Sequence, residues 1–166
     1  MSNRLGFVFC VLMLPFSTVA QKSISDFSLK NVKDSQNISL SDMKDQEAIV
    51  VIFTSNYCPY AKLYEDRLIG LYSSYSGNNI GFVIINSNHP DTSPEDSEAM
   101  MIKRAKEKRY PFAYLSDKDQ SVAKLFDARK TPEAFILRPH STGFHVSLAL
   151  LYHTVWRSNS GHCHDQ

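Results

Sequence analysis

Cys58 lies in the stretch TSNYCPYAK, residues 54–62, between two runs of different character. Ahead of it, AIVVIF at 48–53 reads as a buried strand. Behind it, Leu63, Tyr64, Leu68, Leu71, Tyr72 and Tyr75 recur at helical spacing. The reactive form of a cysteine is the thiolate, and a bare thiol titrating near about 8.5 is mostly protonated at neutral pH. At the first turn of a helix a sulfur faces unpaired backbone N–H groups and the positive end of the helix dipole, both of which stabilise the anion. Pro59 suits the first helical position, where its missing N–H costs nothing. The bland alternative is a small buried cysteine packed under the sheet. The strand–turn–helix setting favours the nucleophile. That reading requires a sulfur reachable from solvent.

The chain holds two other cysteines, Cys10 and Cys163. Arg4, the apolar run at 5–14 and the small residues Thr18-Val19-Ala20 have the order of a secretory signal peptide over residues 1–20, too short to span a membrane. Cleavage after Ala20 is expected, which makes the protein exported, periplasmic or secreted, with no integral membrane segment left. Cys58 and Cys163 then remain in an oxidising compartment, too few for a disulfide scaffold. His162-Cys163-His164 offers metal-ligating types, but three adjacent residues cannot converge comfortably on one tetrahedral ion. No metal and no cofactor is expected. Cys163 is of more interest as a thiol that resolves Cys58. The formal charge is +1 with both signs interspersed, which gives no electrostatic case for nucleic acid or an anionic membrane surface. The basic run at 103–109 reads as a solvated helix face.

The elements that position Cys58 follow from pattern. Residues 26–30 and 38–40 read as a short strand pair around the turn-forming Asp34-Ser35-Gln36-Asn37. After the strand at 48–53 come a helix at 59–75, ended by Gly77-Asn78-Asn79, and a second buried strand at 80–85. A polar loop leads to Ser93-Pro94-Glu95-Asp96, a good helix start, and one helix is expected from there to about residue 108. A strand at 111–115, a helix at 121–126 and a strand at 133–137 behind Thr131-Pro132 complete the order. Such alternation implies an α/β layer structure with a mixed, mostly parallel central sheet flanked by helices. It matches the thioredoxin-like fold with an N-terminal strand pair and an inserted helix.

Three stretches, FTSNYCPYAKLYEDRL, INSNHPDTSPEDSEAMMIKRAKEKRYPFAYLSD and KTPEAFIL, together resemble exported thioredoxin-like proteins of the alkyl hydroperoxide reductase/thiol-specific antioxidant family, the redoxins. The resemblance runs from about Ile24 to Leu137. It implies that the Thr131-Pro132 bond is cis and lies against the Cys58 turn, exposing a backbone edge for an extended substrate. An X-Pro bond tolerates cis at only about 0.5–1 kcal/mol. Many relatives carry Cys-x-x-Cys, and here the position paired with Cys58 is Ser55 or Ala61, depending on alignment. The site is therefore read as monothiol. A dithiol reductase clears its mixed disulfide with the second sulfur; Cys58 instead needs an external thiol reductant or a redox-partner protein. A peroxidase needs a neighbour less, since its sulfenic acid is recycled from outside. Against the peroxiredoxin pattern, Ser55 fits a hydroxyl that binds a peroxide oxygen, Val51 replaces the proline, and Arg129 is either a thiolate partner or a surface charge. The expected activity is a thiol-dependent oxidoreductase, Cys58 attacking a peroxide or a disulfide with Ser55 and Pro59 supporting and Thr131 and Pro132 positioning the substrate. The rival is a non-catalytic binding module of the same fold that has lost its cysteine pair. After Leu137 the resemblance stops. The domain is placed at 21–137, with a divergent segment at 138–166 comprising an edge strand near 145–156 and an unstructured tail.

Overall fold

The computed structural model describes residues 22–151. The expected signal peptide, the metal-ligand types at 162–164 and the tail all lie outside the described residues.

Strand β4 (Ala48–Thr54) is apolar at nearly every position because both of its faces are covered. Ile49, Val51 and Phe53 point one way, onto Val83 and Ile85 of β5 (Ile80–Asn86), Phe135 and Leu137 of β7 (Glu133–His140), and Val122 and Phe126 of helix α3 (Ser121–Phe126). Val50 and Ile52 point the other way, onto Phe82, Ile84 and Ala134, Leu68 of helix α1 (Pro59–Tyr75), and Met101 and Ala105 of helix α2 (Glu98–Glu107). One sheet thus separates two apolar cores.

The remaining strands are β1 (Ser23–Ile24), β2 (Ser28–Asn31), β3 (Asn37–Ser39), β6 (Ala113–Ser116) and β8 (Gly143–Leu151). The sheet order is β1-β8-β7-β4-β5-β6-β2-β3. The sheet is mixed, with helices on both faces and the N-terminal β2–β3 pair at one end. Parallel pairing is confined to β4, β5 and β6; the other neighbours run antiparallel. The cause is connection length: α1 and α2 lie within crossovers long enough to return a parallel strand, whereas the β2–β3 and β7–β8 links are short turns.

Three local expectations are corrected. The helix expected from Ser93 to about 108 is two pieces: a 3₁₀ turn at Pro94–Asp96, extended Ser97 (ψ 151°), then α2. Ser93 does not cap it; its hydroxyl donates to the Asp96 carboxylate at 2.6 Å, drawing Asp96 inward. Strand β7 runs on past Leu137 to His140 and pairs along its length with β8, so the sheet continues into the segment read as divergent. Strand β8 is covered at its start by β1, through Ser23↔His145 and Ile24↔Phe144, so only its later part is an edge among the described residues.

The third correction concerns the basic run. Arg104 is not a free surface charge: its Nε donates to Glu65 Oε1 at 2.7 Å and its Nη2 to Glu65 Oε2 at 2.5 Å. The Tyr110 hydroxyl donates to the same carboxylate at 2.8 Å. Glu65, on α1, is 5% exposed, so this cluster ties α1 to α2 and the start of β6. The hydrogen bonds that Arg104 donates to Glu65 raise its guanidinium, and burial pushes the Tyr110 phenol well above its ordinary range, keeping both as donors. Glu65→Ala is expected to cost about 2–4 kcal/mol, since a half-buried guanidinium and a buried phenol lose their acceptor. A urea denaturation midpoint lowered at constant slope is the check; a loss below about 0.5 kcal/mol would make the cluster an ordinary surface pair.

Candidate active site

Three loops meet above the ends of β4 and β5 and the start of β7: the turn at 55–58, the loop at 87–97 and the loop at 127–132. Crevices at the carboxyl ends of parallel strands are where α/β sheets bind ligands. Here the crevice is a cavity of about 660 Å³, lined among others by Tyr57, Cys58, Asn88, Glu95, Lys130 and Thr131.

Cys58 is the N-cap of α1, with extended backbone (φ −64°, ψ 119°), and Pro59 is the first helical residue. The Cys58 carbonyl accepts the first helical bond from the Lys62 N–H at 3.2 Å. Its Sγ lies 3.3 Å from the Thr131 carbonyl oxygen, and the Thr131-Pro132 bond is cis. The structure therefore brings Cys58, Pro59, Thr131 and Pro132 together. Cys58 is in the disulfide form, its partner outside the described residues, and in that form it is 1% exposed. Reduced, the thiol would donate to Thr131; in the disulfide the 3.3 Å approach is a packing contact.

Ser55 is buried beside them, and its hydroxyl is fully committed. It donates to Asp96 Oδ2 at 2.9 Å. It accepts from the N–H groups of Tyr57 and Cys58 at 3.0 and 3.2 Å, and from Asn88 Nδ2 at 3.0 Å. A hydroxyl with one proton and two lone pairs has nothing left for a peroxide oxygen. Ser55 holds the turn. Arg129 is on the cavity wall, but its guanidinium is exposed and already paired with Asp127 at 3.0 Å. Val51 stands in the β4 core, where the peroxiredoxin pattern has its proline.

Three buried carboxylates organise these loops, and sequence reasoning found none of them. Asp96, 3% exposed, accepts from five donors: Ser55 Oγ, Asn88 Nδ2 and Ser93 Oγ on Oδ2, and the Asn56 N–H (2.5 Å) and Asn86 Nδ2 (2.6 Å) on Oδ1. Tyr114, its phenol pushed up by burial, donates to Asn56 Oδ1 at 3.0 Å and closes the cluster. Glu133, 5% exposed, accepts on Oε2 from the N–H groups of Arg129 (2.9 Å) and Lys130 (3.3 Å). Asp117 caps α3, accepting from the Val122 and Ala123 N–H groups and from Ser87 Oγ, while burial pushes its carboxyl up against the pull of those bonds. For Asp96 and Asp117 there was no local signal, because acidic residues at helix starts are ordinarily solvated capping residues. For Glu133 there was one: a charge heading the apolar run EAFIL.

Among the described residues no group of three or more His, Cys, Asp or Glu is gathered for a metal ion, and no helix is long and apolar enough to cross a membrane.

No curated protein matches the chain. Among solved structures, it is similar to an uncharacterized conserved protein from Geobacillus kaustophilus, at 35% identity and a TM-score of 0.76, over 84% of this chain and 72% of that one. It has the same thioredoxin-like fold as a putative thiol:disulfide interchange protein DsbE from Chlorobium tepidum (16% identity, TM-score 0.64, 78% and 82% covered). The same holds for the peroxidoxin BcpB from Mycobacterium tuberculosis (16%, 0.64, 78% and 83%). The AhpC/TSA family model matches residues 20–142, a span that takes in the Cys58 turn, the Asp96 loop and the Thr131-Pro132 bond, and on that match the chain belongs to the AhpC/TSA family.

Proposed function

We propose that the protein is a thiol oxidoreductase in which Cys58, once reduced, exchanges with a disulfide carried by an extended substrate. The observation that carries this is the sulfur set 3.3 Å from the Thr131 carbonyl, at the head of the cis-proline turn and on the wall of the cavity. An extended chain laid along that turn can hydrogen-bond to its backbone edge and present a disulfide to the sulfur. The Cys58 thiolate attacks one substrate sulfur, forming a mixed disulfide and releasing the other sulfur as a thiolate. A thiolate from an external reductant or partner protein then attacks the substrate sulfur of that mixed disulfide and restores Cys58; a second external thiolate attacks the reductant sulfur of the new mixed disulfide, releasing the substrate's remaining thiolate and leaving the two external thiols joined as a disulfide. The substrate gains the two electrons that the external thiols lose. The two structural neighbours are named for different chemistry, DsbE as a putative thiol:disulfide interchange protein and BcpB as a peroxidoxin. The lack of a second cysteine within the Cys58 turn favours peroxide; the committed Ser55 hydroxyl and the Asp127-paired Arg129 favour exchange. Disulfide substrates and the leader expected over 1–20 both fit work outside the cytoplasm.

One observation favours the second reading, a non-catalytic binding module: Cys58, in its disulfide form, is 1% exposed. Thiolate absorbance titrated on the reduced protein decides between them. A thiol titrating well below about 8, with a mixed disulfide at Cys58 seen by mass spectrometry after oxidised glutathione, is the expected result. A thiol near the free value and inert to both glutathione disulfide and hydrogen peroxide would leave only the binding module. Sulfenic acid at Cys58 faster than mixed disulfide would transfer the assignment to peroxide reduction.

A further inference from the structure

We infer that Asp96 and Glu133 are the positioning residues of this site, Asp96 holding the Cys58 turn and Glu133 holding the Thr131 loop; the inference rests on the thiol-exchange reading above. Neither lines the cavity, so each acts through what it holds. Asp96 takes the Asn56 N–H directly and, through the Ser55 hydroxyl, orients the acceptor for the Tyr57 and Cys58 N–H groups. Glu133 takes the N–H groups of Arg129 and Lys130, the two residues before Thr131. Five loop amides are thus anchored, three directly and two through Ser55, by two buried carboxylates, one on each side of the 3.3 Å approach of sulfur to carbonyl. Acceptor-only side chains suit this role, since amides in a loop with no ladder have few other partners away from water.

The two carboxylates differ in a way that makes the idea testable. Both Glu133 bonds end on one oxygen, so glutamine can keep them. Asp96 serves five donors with both oxygens, so asparagine cannot. The reduced full-length protein is assayed with two probes, iodoacetamide, which needs only the sulfur, and oxidised glutathione, which must also be placed beside Thr131. Amide hydrogen exchange is followed in parallel. Glu133→Gln is expected to match wild type within about two-fold on both probes. Glu133→Ala is expected to lose about ten-fold in exchange relative to alkylation, with Arg129 and Lys130 amides deprotected. Asp96→Asn is expected to slow both probes together by about ten-fold, with amides 56–58 deprotected. Should Glu133→Ala not fold, Glu133→Met, of similar length and without an acceptor, answers the same question. An unchanged exchange-to-alkylation ratio in Glu133→Ala or Glu133→Met, or wild-type rates and protection in Asp96→Asn, overturns the inference. A wild-type protein that alkylates but does not exchange refutes the chemistry instead, and the amide protection then decides the two carboxylates alone.

Discussion

Serine in place of Cys58 abolishes exchange: the rate with oxidised glutathione falls by at least about 10³-fold, because a serine hydroxyl does not ionise near neutral pH. The fold is expected to survive. The side chain is small, its backbone carbonyl still opens α1, and Pro59 still starts it. Melting within a few degrees of wild type, together with loss of the mixed disulfide from the peptide containing residue 58, is the expected pair of results. Mapping the modified peptide matters because Cys163 is a second cysteine of the chain. A Cys58→Ser protein that keeps its exchange rate would place the chemistry elsewhere in the chain.

Ser55→Cys is expected to place a second thiol within the Cys58 turn. Position 55 is buried at the turn, and its side-chain oxygen lies 3.2 Å from the Cys58 N–H, so a sulfur there stands beside the Cys58 backbone. Oxidation should then form a 55–58 disulfide, found as a two-proton mass loss confined to the peptide holding both residues. The mixed disulfide with substrate should no longer accumulate, because the second thiol clears it faster than any external one; an effective concentration gain of several orders of magnitude is ordinary for such a neighbour. The exchange costs stability. A thiol is a poor substitute for a hydroxyl that serves Asp96 and two amides, and a loss of about 1–3 kcal/mol is expected. Persistence of the mixed disulfide in Ser55→Cys, with both cysteines reduced at the outset, would show that the turn does not bring positions 55 and 58 within bonding reach.

Ser55 also shows where sequence reading reached its limit. Its place three residues before Cys58 is plain in the chain, and both a peroxide-binding hydroxyl and a lost cysteine are fair readings of it. What the hydroxyl does depends on Asp96, forty-one positions later. The same holds for Arg104, whose partner Glu65 lies on another helix and turns an apparently solvated charge into a tie between helices.

What the sequence determined by itself was whatever depends on neighbours in the chain. The apolar run of β4, the helix opening at Pro59 and closing near Tyr75, the short α3 and the strand behind Thr131-Pro132 are set by periodicity, proline at the first helical position and glycine-asparagine stops, all acting within a few residues. The two-residue β1, the split at Ser97 and the pairing of β8 with β7 were not legible. Each is settled by a partner from a distant segment, and a backbone group takes whichever partner burial leaves it. The tertiary structure decided which carboxylates turn inward: Asp96 and Asp117 resemble ordinary solvated acids until the loops close over them, and Glu133 is marked in the chain only as a charge heading an apolar run. Unpaired amides at those loops have no other acceptor away from water, and that need, rather than any local preference, draws the three side chains in.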